Sequence, residues 1–114
     1  MDKIVERTML YDFYGDLLTE HQRNVYECLV FQDLSLSEVA DLWGISRQGV
    51  HDLVRRCDRL LDGYEQKLHL VSRFMQLKAS VTEMHDQMAS YAASRGDRLP
   101  KELEESYHRI LEEL

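Results

Sequence analysis

The sequence has one proline, five glycines and two cysteines in 114 residues, and no apolar run that approaches the ~20 residues of a membrane span. With so few turn-forming residues and few alternating apolar–polar runs, a β-rich fold is excluded. Leu, Glu, Arg and Ala are plentiful, so an all-α chain is expected. Cys28 and Cys57 stand 29 positions apart and form no paired metal-ligand motif. Each falls in an apolar helical pattern, which fits buried thiols in a reducing cytosol. The N-terminal stretch "MDKIVERTMLYDFYG" interleaves charges with its apolar residues, so it carries no signal-peptide core. A cytoplasmic protein without membrane insertion is expected.

Catalytic signatures are missing too. There is no Gly-rich phosphate loop of either common type. His21, His51, His69, His85 and His108 are scattered, with no H-E-x-x-H and no Cys at ligand spacing. No Ser or Cys has a nucleophile signature. No enzyme activity, cofactor or metal is expected.

One sign of charge is also scarce. The net charge is −7, from 14 basic and 21 acidic residues. That balance disfavours indiscriminate phosphate binding. Residues 1–70 hold 8 basic and 13 acidic residues, and residues 71–114 hold 6 and 8. Only residues 46–59 run the other way: Arg47, Arg55, Arg56 and Arg59 face Asp52 and Asp58, a local balance of +2.

What is present is helical periodicity with clear punctuation. A first helix is expected from Asp2 to Tyr14, its apolar face Ile4, Leu10, Tyr11 and Tyr14, ended by Gly15. "TEHQ" from Thr19 is a capping box that starts a second helix, with Val25, Leu29 and Val30 as its buried face. "SLSE" from Ser35 is a second box and starts a third. Gly44 stops it, Ser46 caps a long fourth helix, and Gly63 or the stretch near His69 bends or ends that helix. In a fifth, Leu70, Phe74, Leu77, Val81, Met84, Met88 and Tyr91 recur at alternating steps of four and three. This 3.5-residue repeat is that of a coiled-coil seam or a long packed helix. Pro100 opens a sixth helix carrying Leu103, Tyr107, Ile110 and Leu114. One all-α domain over residues 1–114 is expected, with a C-terminal helical part from about residue 70.

The stretch Leu36–Leu61, "LSEVADLWGISRQGVHDLVRRCDRLL", meets the demands of a helix-turn-helix at about residues 36–60. Ala40 is small where the second helix crosses. Gly44 tolerates positive φ in the turn. Ile45 plugs the core, Ser46 caps, and Val50 and Leu53 anchor the inner face, with Cys57, Leu60 and Tyr64 continuing it. An ordinary helical hairpin sharing this spacing is the alternative. At ~100° per residue the outer face holds Arg47, Gln48, His51, Asp52, Arg55, Arg56 and Arg59. In a nucleic-acid reader the N-terminal end of such a helix meets base edges and the remainder meets phosphates. Ser46, Arg47, Gln48, His51, Arg55, Arg56 and Arg59 are therefore the candidate contacts, with Gly49 allowing close backbone approach. The bland alternative is a solvated face in which Asp52 pairs with Arg56 and Asp58 with Arg55.

The stretch from Leu18 to Leu68, "LTEHQRNVYECLVFQDLSLSEVADLWGISRQGVHDLVRRCDRLLDGYEQKL", resembles the fourth region of bacterial sigma factors. More closely it resembles the YlxM-like family of small helix-turn-helix proteins, from "YDFYGDLLTEHQR" to about "LVSRF". That resemblance implies an all-α fold with a sigma-type helix-turn-helix of the winged-helix-like DNA-binding superfamily, a long following helix and C-terminal helices. It also implies a regulatory or accessory role in the signal recognition particle pathway, with DNA, the particle's RNA, its GTPase or the receptor as partner. It implies no sigma activity. The alternative is a structural dimer whose helix-turn-helix docks protein. The apolar repeat of the fifth helix exceeds what one short bundle covers, so a homodimer is expected, with Phe74, Leu77, Val81, Met84 and Met88 at the contact or its supporting core. In the opposing arrangement helix five folds back on helices one and four.

Overall fold

The computed structural model describes residues 2–114 and holds, among them, six α-helices and no strand. These are α1 (Lys3–Tyr14), α2 (Glu20–Tyr26), α3 (Leu36–Trp43), α4 (Arg47–Leu68), α5 (Leu70–Ser94) and α6 (Lys101–Glu113). The all-α expectation holds. The chain divides into two compact units, Met1–Val71 and Ser72–Leu114, with the division in the first turn of α5. Among the described residues no helix is long and apolar enough to cross a membrane.

Local chemistry sets the helix starts. Both capping boxes form as expected: the Gln22 amide donates to Thr19 Oγ1 at 3.2 Å while the Thr19 amide donates to Gln22 Oε1 at 2.9 Å. The Ser35 and Glu38 pair repeats this, both bonds at 3.1 Å. Gly15 does not terminate α1 in the way expected. Its φ is −57°, and the chain continues into a 3₁₀ turn over Gly15–Leu17. Glycine fits there for a different reason, because a Cβ would stand 3.1 Å from the Tyr11 ring, close enough that the ring would have to shift.

Helix α2 runs into a π-helical turn, Glu27–Phe31, closed by the Gln32 amide on the Glu27 carbonyl at 2.9 Å. The extra residue in this turn rotates the buried face. Tyr26 and Cys28 go fully inside, while Leu29 and Val30, expected to lead, are only half-buried. The inner face of α4 is likewise rotated from expectation. Val50, Val54, Cys57 and Leu61 are buried, and Leu53, Leu60 and Tyr64 pack against them from one side. Gly63 stays inside the helix, and α4 ends at His69, whose φ of 56° is left-handed.

The first unit closes around Tyr14, Val25, Tyr26, Val39, Val50, Cys57 and Leu61, all fully buried. Burial of each aliphatic side chain among them stabilises the unit by ~1.5–3 kcal/mol. The corner from α4 into α5 is tied by long-range groups. The Tyr14 hydroxyl donates to Glu65 Oε1 and accepts from the Leu70 amide at 3.1 Å. Glu65 Oε1 also accepts from the Val71 amide at 3.0 Å. The first amides of α5 are thus capped from α1 and α4, which answers the orphan-donor problem of a helix start.

In the second unit, the remainder of α5 and α6 form an antiparallel hairpin. Tyr107 donates to Thr82 Oγ1 at 3.3 Å, and His85 Nε2 lies 3.0 Å from both carboxylate oxygens of Glu104. Residue numbers climb along one helix as they fall along the other. The Tyr107 ring stacks on His85 with centroids 3.9 Å apart. Gly96, at φ 73°, turns the chain between the two helices.

Candidate nucleic-acid interface

Helices α3 and α4 meet across a turn of the expected kind. Gly44 adopts φ 67° and ψ 33°, and its amide donates to the Ala40 carbonyl. The Ile45 amide donates to the same carbonyl at 3.1 Å. Ala40 is buried and Ile45 half-buried against the core, so the small residue and the plug sit where the motif needs them. Ser46 caps α4: its Oγ accepts from the Gly49 amide at 2.9 Å. A Cβ on residue 49 would stand 3.1 Å from that same Oγ, so the close approach that glycine permits here is by the cap itself.

All seven candidate contacts, Ser46, Arg47, Gln48, His51, Arg55, Arg56 and Arg59, are exposed. The carboxylate pairings of the solvated-face alternative do not form. Asp52 accepts from Gln48 Nε2 at 2.9 Å and lies 3.7 Å from His51 Nδ1, rather than pairing with Arg56. Asp58 is taken by α1 instead of Arg55: Arg7 donates to its Oδ2, and the Tyr26 hydroxyl donates to its Oδ1 at 2.7 Å. Burial, and then the bond to Asp58, push the Tyr26 hydroxyl far above its ordinary value, so it remains a donor throughout the accessible range. Both Asp58 oxygens are occupied internally, and among the described residues Arg47, Arg55, Arg56 and Arg59 take part in no ion pair.

The bonds Arg7–Asp58 and Tyr14–Glu65 both join residues 51 apart. Helix α1 therefore runs parallel to α4, in register over two heptad-like rungs. Between them lies a groove of about 420 Å³ lined by Lys3, Arg7, His51, Val54, Arg55, Asp58 and Arg59. The same register sets Ile4 level with Arg55 rather than with an apolar residue, and Ile4 is 44% exposed in spite of its place in the expected apolar face. Lys3 and Arg7 belong to this basic surface and were not visible as such. Their i, i+4 spacing puts both on one face of α1, but only the register with α4 brings that face to Arg55 and Arg59. Toward the C-terminal end of α4 the surface turns acidic. Burial, and repulsion from Glu6 and Asp58, raise the Asp62 carboxyl above its ordinary range.

The proposed dimer residues fall on an open apolar face of the second unit. Leu77 is 50% and Met84 53% exposed, Met88 is exposed as well, and Phe74 and Val81 are half-buried. Val81, Met84 and Met88 line a cleft of about 140 Å³ with Leu103, Tyr107 and Ile110 of α6. Cys28 and Cys57 are free and buried, and burial pushes the Cys57 thiol up to about 11. Among the described residues no three of His, Cys, Asp and Glu converge as a metal site.

A family model described as "Putative helix-turn-helix protein, YlxM / p13 like" matches residues 1–98. A UPF0122 protein of Shouchella clausii is 42% identical over 90 residues, which is 79% of this chain and 83% of that one. A UPF0122 protein of Clostridium botulinum is 41% identical over 100 residues, 87% of this chain and 92% of its own. One of Acetivibrio thermocellus is 38% identical and covers 98% of this chain and 99% of its own length.

Proposed function

Since this chain belongs to the UPF0122 family of YlxM/p13-like helix-turn-helix proteins, we propose that it binds duplex DNA, with the N-terminal half of α4 in the major groove. One observation carries this. Arg47, Gln48, Arg55 and Arg59 are exposed on a helix whose opposite face is anchored by Val50, Val54, Cys57 and Leu61, and the arginines are held by no carboxylate. Gln48 suits adenine and Arg47 suits guanine or phosphate, while Arg55, Arg56 and Arg59 suit phosphates. B-form DNA is favoured over duplex RNA because the A-form major groove is too narrow for side chains to read. The net charge of −7 limits the affinity of one copy.

A second copy offsets that limit through avidity. The stripe Phe74, Leu77, Val81, Met84 and Met88 supports a homodimer, because contiguous exposed apolar surface of this kind marks an interface. Sedimentation equilibrium tests it: a 13.5 kDa species with no trend toward twice that mass rules the dimer out. The narrower role, an accessory of the signal recognition particle, rests on the sequence resemblance. Recovery of the particle's RNA with this chain, abolished by nuclease, tests that role.

The DNA assignment is tested by fluorescence anisotropy on a panel of labelled duplexes at several salt concentrations. Arg47→Ala with Gln48→Ala should weaken sequence preference. Arg55→Ala with Arg59→Ala should weaken binding to every duplex and flatten the salt slope by about 2. Equal binding by the quadruple variant and the parent sinks the assignment.

A further inference from the structure

The cations that converge on the groove between α1 and α4 come from segments about fifty residues apart. Four of its lining residues, Lys3, Arg7, Arg55 and Arg59, are cations, and Asp58 is its one carboxylate. Asp58 is silenced by Arg7 on one oxygen and Tyr26 on the other. Among the described residues, Lys3, Arg55 and Arg59 are in no ion pair. Arg7 Nε is buried and has no hydrogen-bond partner. The acidic groups nearby that do not line the groove are Asp2, whose side chain caps α1 on the Ile4 amide, Glu6, Asp52 at 3.7 Å from His51 Nδ1, and Asp62 farther along α4. An otherwise acidic molecule thus keeps one concave, dominantly positive surface beside its exposed helix.

The register explains what such a surface is placed to do. Lys3 lies level with Val54, so the first two turns of α4 project beyond the start of α1 by ~10 Å at 1.5 Å per residue. A major groove is ~8.5 Å deep. When the projecting turns enter a groove, the start of α1 arrives at the level of the bordering backbone. We infer that the α1–α4 groove is a seat for a phosphodiester of the DNA backbone, held by Lys3 together with Arg55 and Arg59, with Arg7 keeping Asp58 from repelling it. This rests on the assignment of α4 to the DNA major groove and adds α1 to the interface. Arg56, one residue and hence about 100° around α4 from Arg55, faces away from this groove and belongs to a different contact.

The decisive variants are Lys3→Ala and Lys3→Glu, because Lys3 is exposed and holds no partner that the fold requires. Each is titrated by anisotropy with a short labelled DNA duplex over a range of salt. Unchanged thermal melts establish that the fold is intact. Lys3→Ala should flatten the log-affinity versus log-salt slope by about 0.9, the loss of one phosphate contact, with sequence preference unchanged. Lys3→Glu should weaken binding further at every salt concentration. A parent that binds, loses preference on Arg47→Ala with Gln48→Ala, and keeps its slope in both Lys3 variants overturns the seat and leaves the α4 assignment standing. A parent with no salt-dependent affinity for any duplex overturns both. Inorganic phosphate alone, titrated by NMR, separates a free anion from the backbone. Saturable shifts at Lys3 and Arg55, combined with Lys3→Ala binding duplex as the parent does, would assign the groove to a free anion instead.

Discussion

Asp58→Asn should push stability and DNA affinity in opposite directions. In the native chain Asp58 holds Arg7 and the Tyr26 hydroxyl, and both members of the ion pair are 26% exposed. Asparagine keeps the shape but loses the charge, and its NH2 group cannot accept the bond that the replaced carboxylate oxygen accepted. A hydrogen bond to a charged group contributes ~1.5–3 kcal/mol, and partial exposure draws that toward the lower end, so a loss of about 2 kcal/mol is expected. For a unit of this size each kcal/mol is worth roughly 4–8 °C, so the melting temperature should fall by about 10 °C. The groove meanwhile changes from four cations against one carboxylate to four against none, and Arg7 is released toward it. The salt slope of duplex binding should steepen by about 0.9, with tighter binding at low salt. Far-UV circular dichroism melts and anisotropy titrations read the two effects. A variant that is destabilised but binds no more tightly than the parent refutes the claim that releasing Arg7 from Asp58 adds a cation to this groove. A variant with an unchanged melt refutes the importance of the Arg7–Asp58–Tyr26 bonds.

Three further outcomes are expected. Ala40→Glu places an unpartnered carboxylate where the side chain is 6% exposed, at a cost of several kcal/mol, so the first unit should be unfolded or melt far lower; a melt that barely moves contradicts the α3–α4 crossing. Cys57, its thiol pushed up to about 11 by burial, should resist iodoacetamide at neutral pH until urea unfolds the chain, as followed by mass spectrometry. The His85 imidazole is raised above its ordinary 6.5, chiefly by its bond to Glu104 and then by Asp86. A raised folded value means that these contacts stabilise the α5–α6 hairpin below that ordinary value and are lost as pH climbs through the folded value. The hairpin should therefore be more resistant to urea in mild acid than in mild alkali, and His85→Gln should abolish the difference.

What could be read along the chain is what depends on neighbours in sequence. The boxes at Thr19 and Ser35, the left-handed glycine at residue 44 and the Ser46 cap all act within a few bonds, and each formed as expected. The outer face of α4 followed from the helical period alone, which is why the exposure of Arg47, Gln48, Arg55, Arg56 and Arg59 was legible. Three matters belonged to the tertiary structure. The π turn at Glu27–Phe31 rotated the buried face, because one extra residue per turn carries no strong local signature. The inner face of α4 settled on Val54 and Leu61 rather than Leu53 and Leu60, since two adjacent apolar stripes compete and only the packing of α1, α2 and α3 chooses between them. The partner of Asp58 was Arg7, not the nearby Arg55. A carboxylate with several cations in reach takes the one that the fold holds in place, and that depended on a register between α1 and α4 set by residues 51 positions apart.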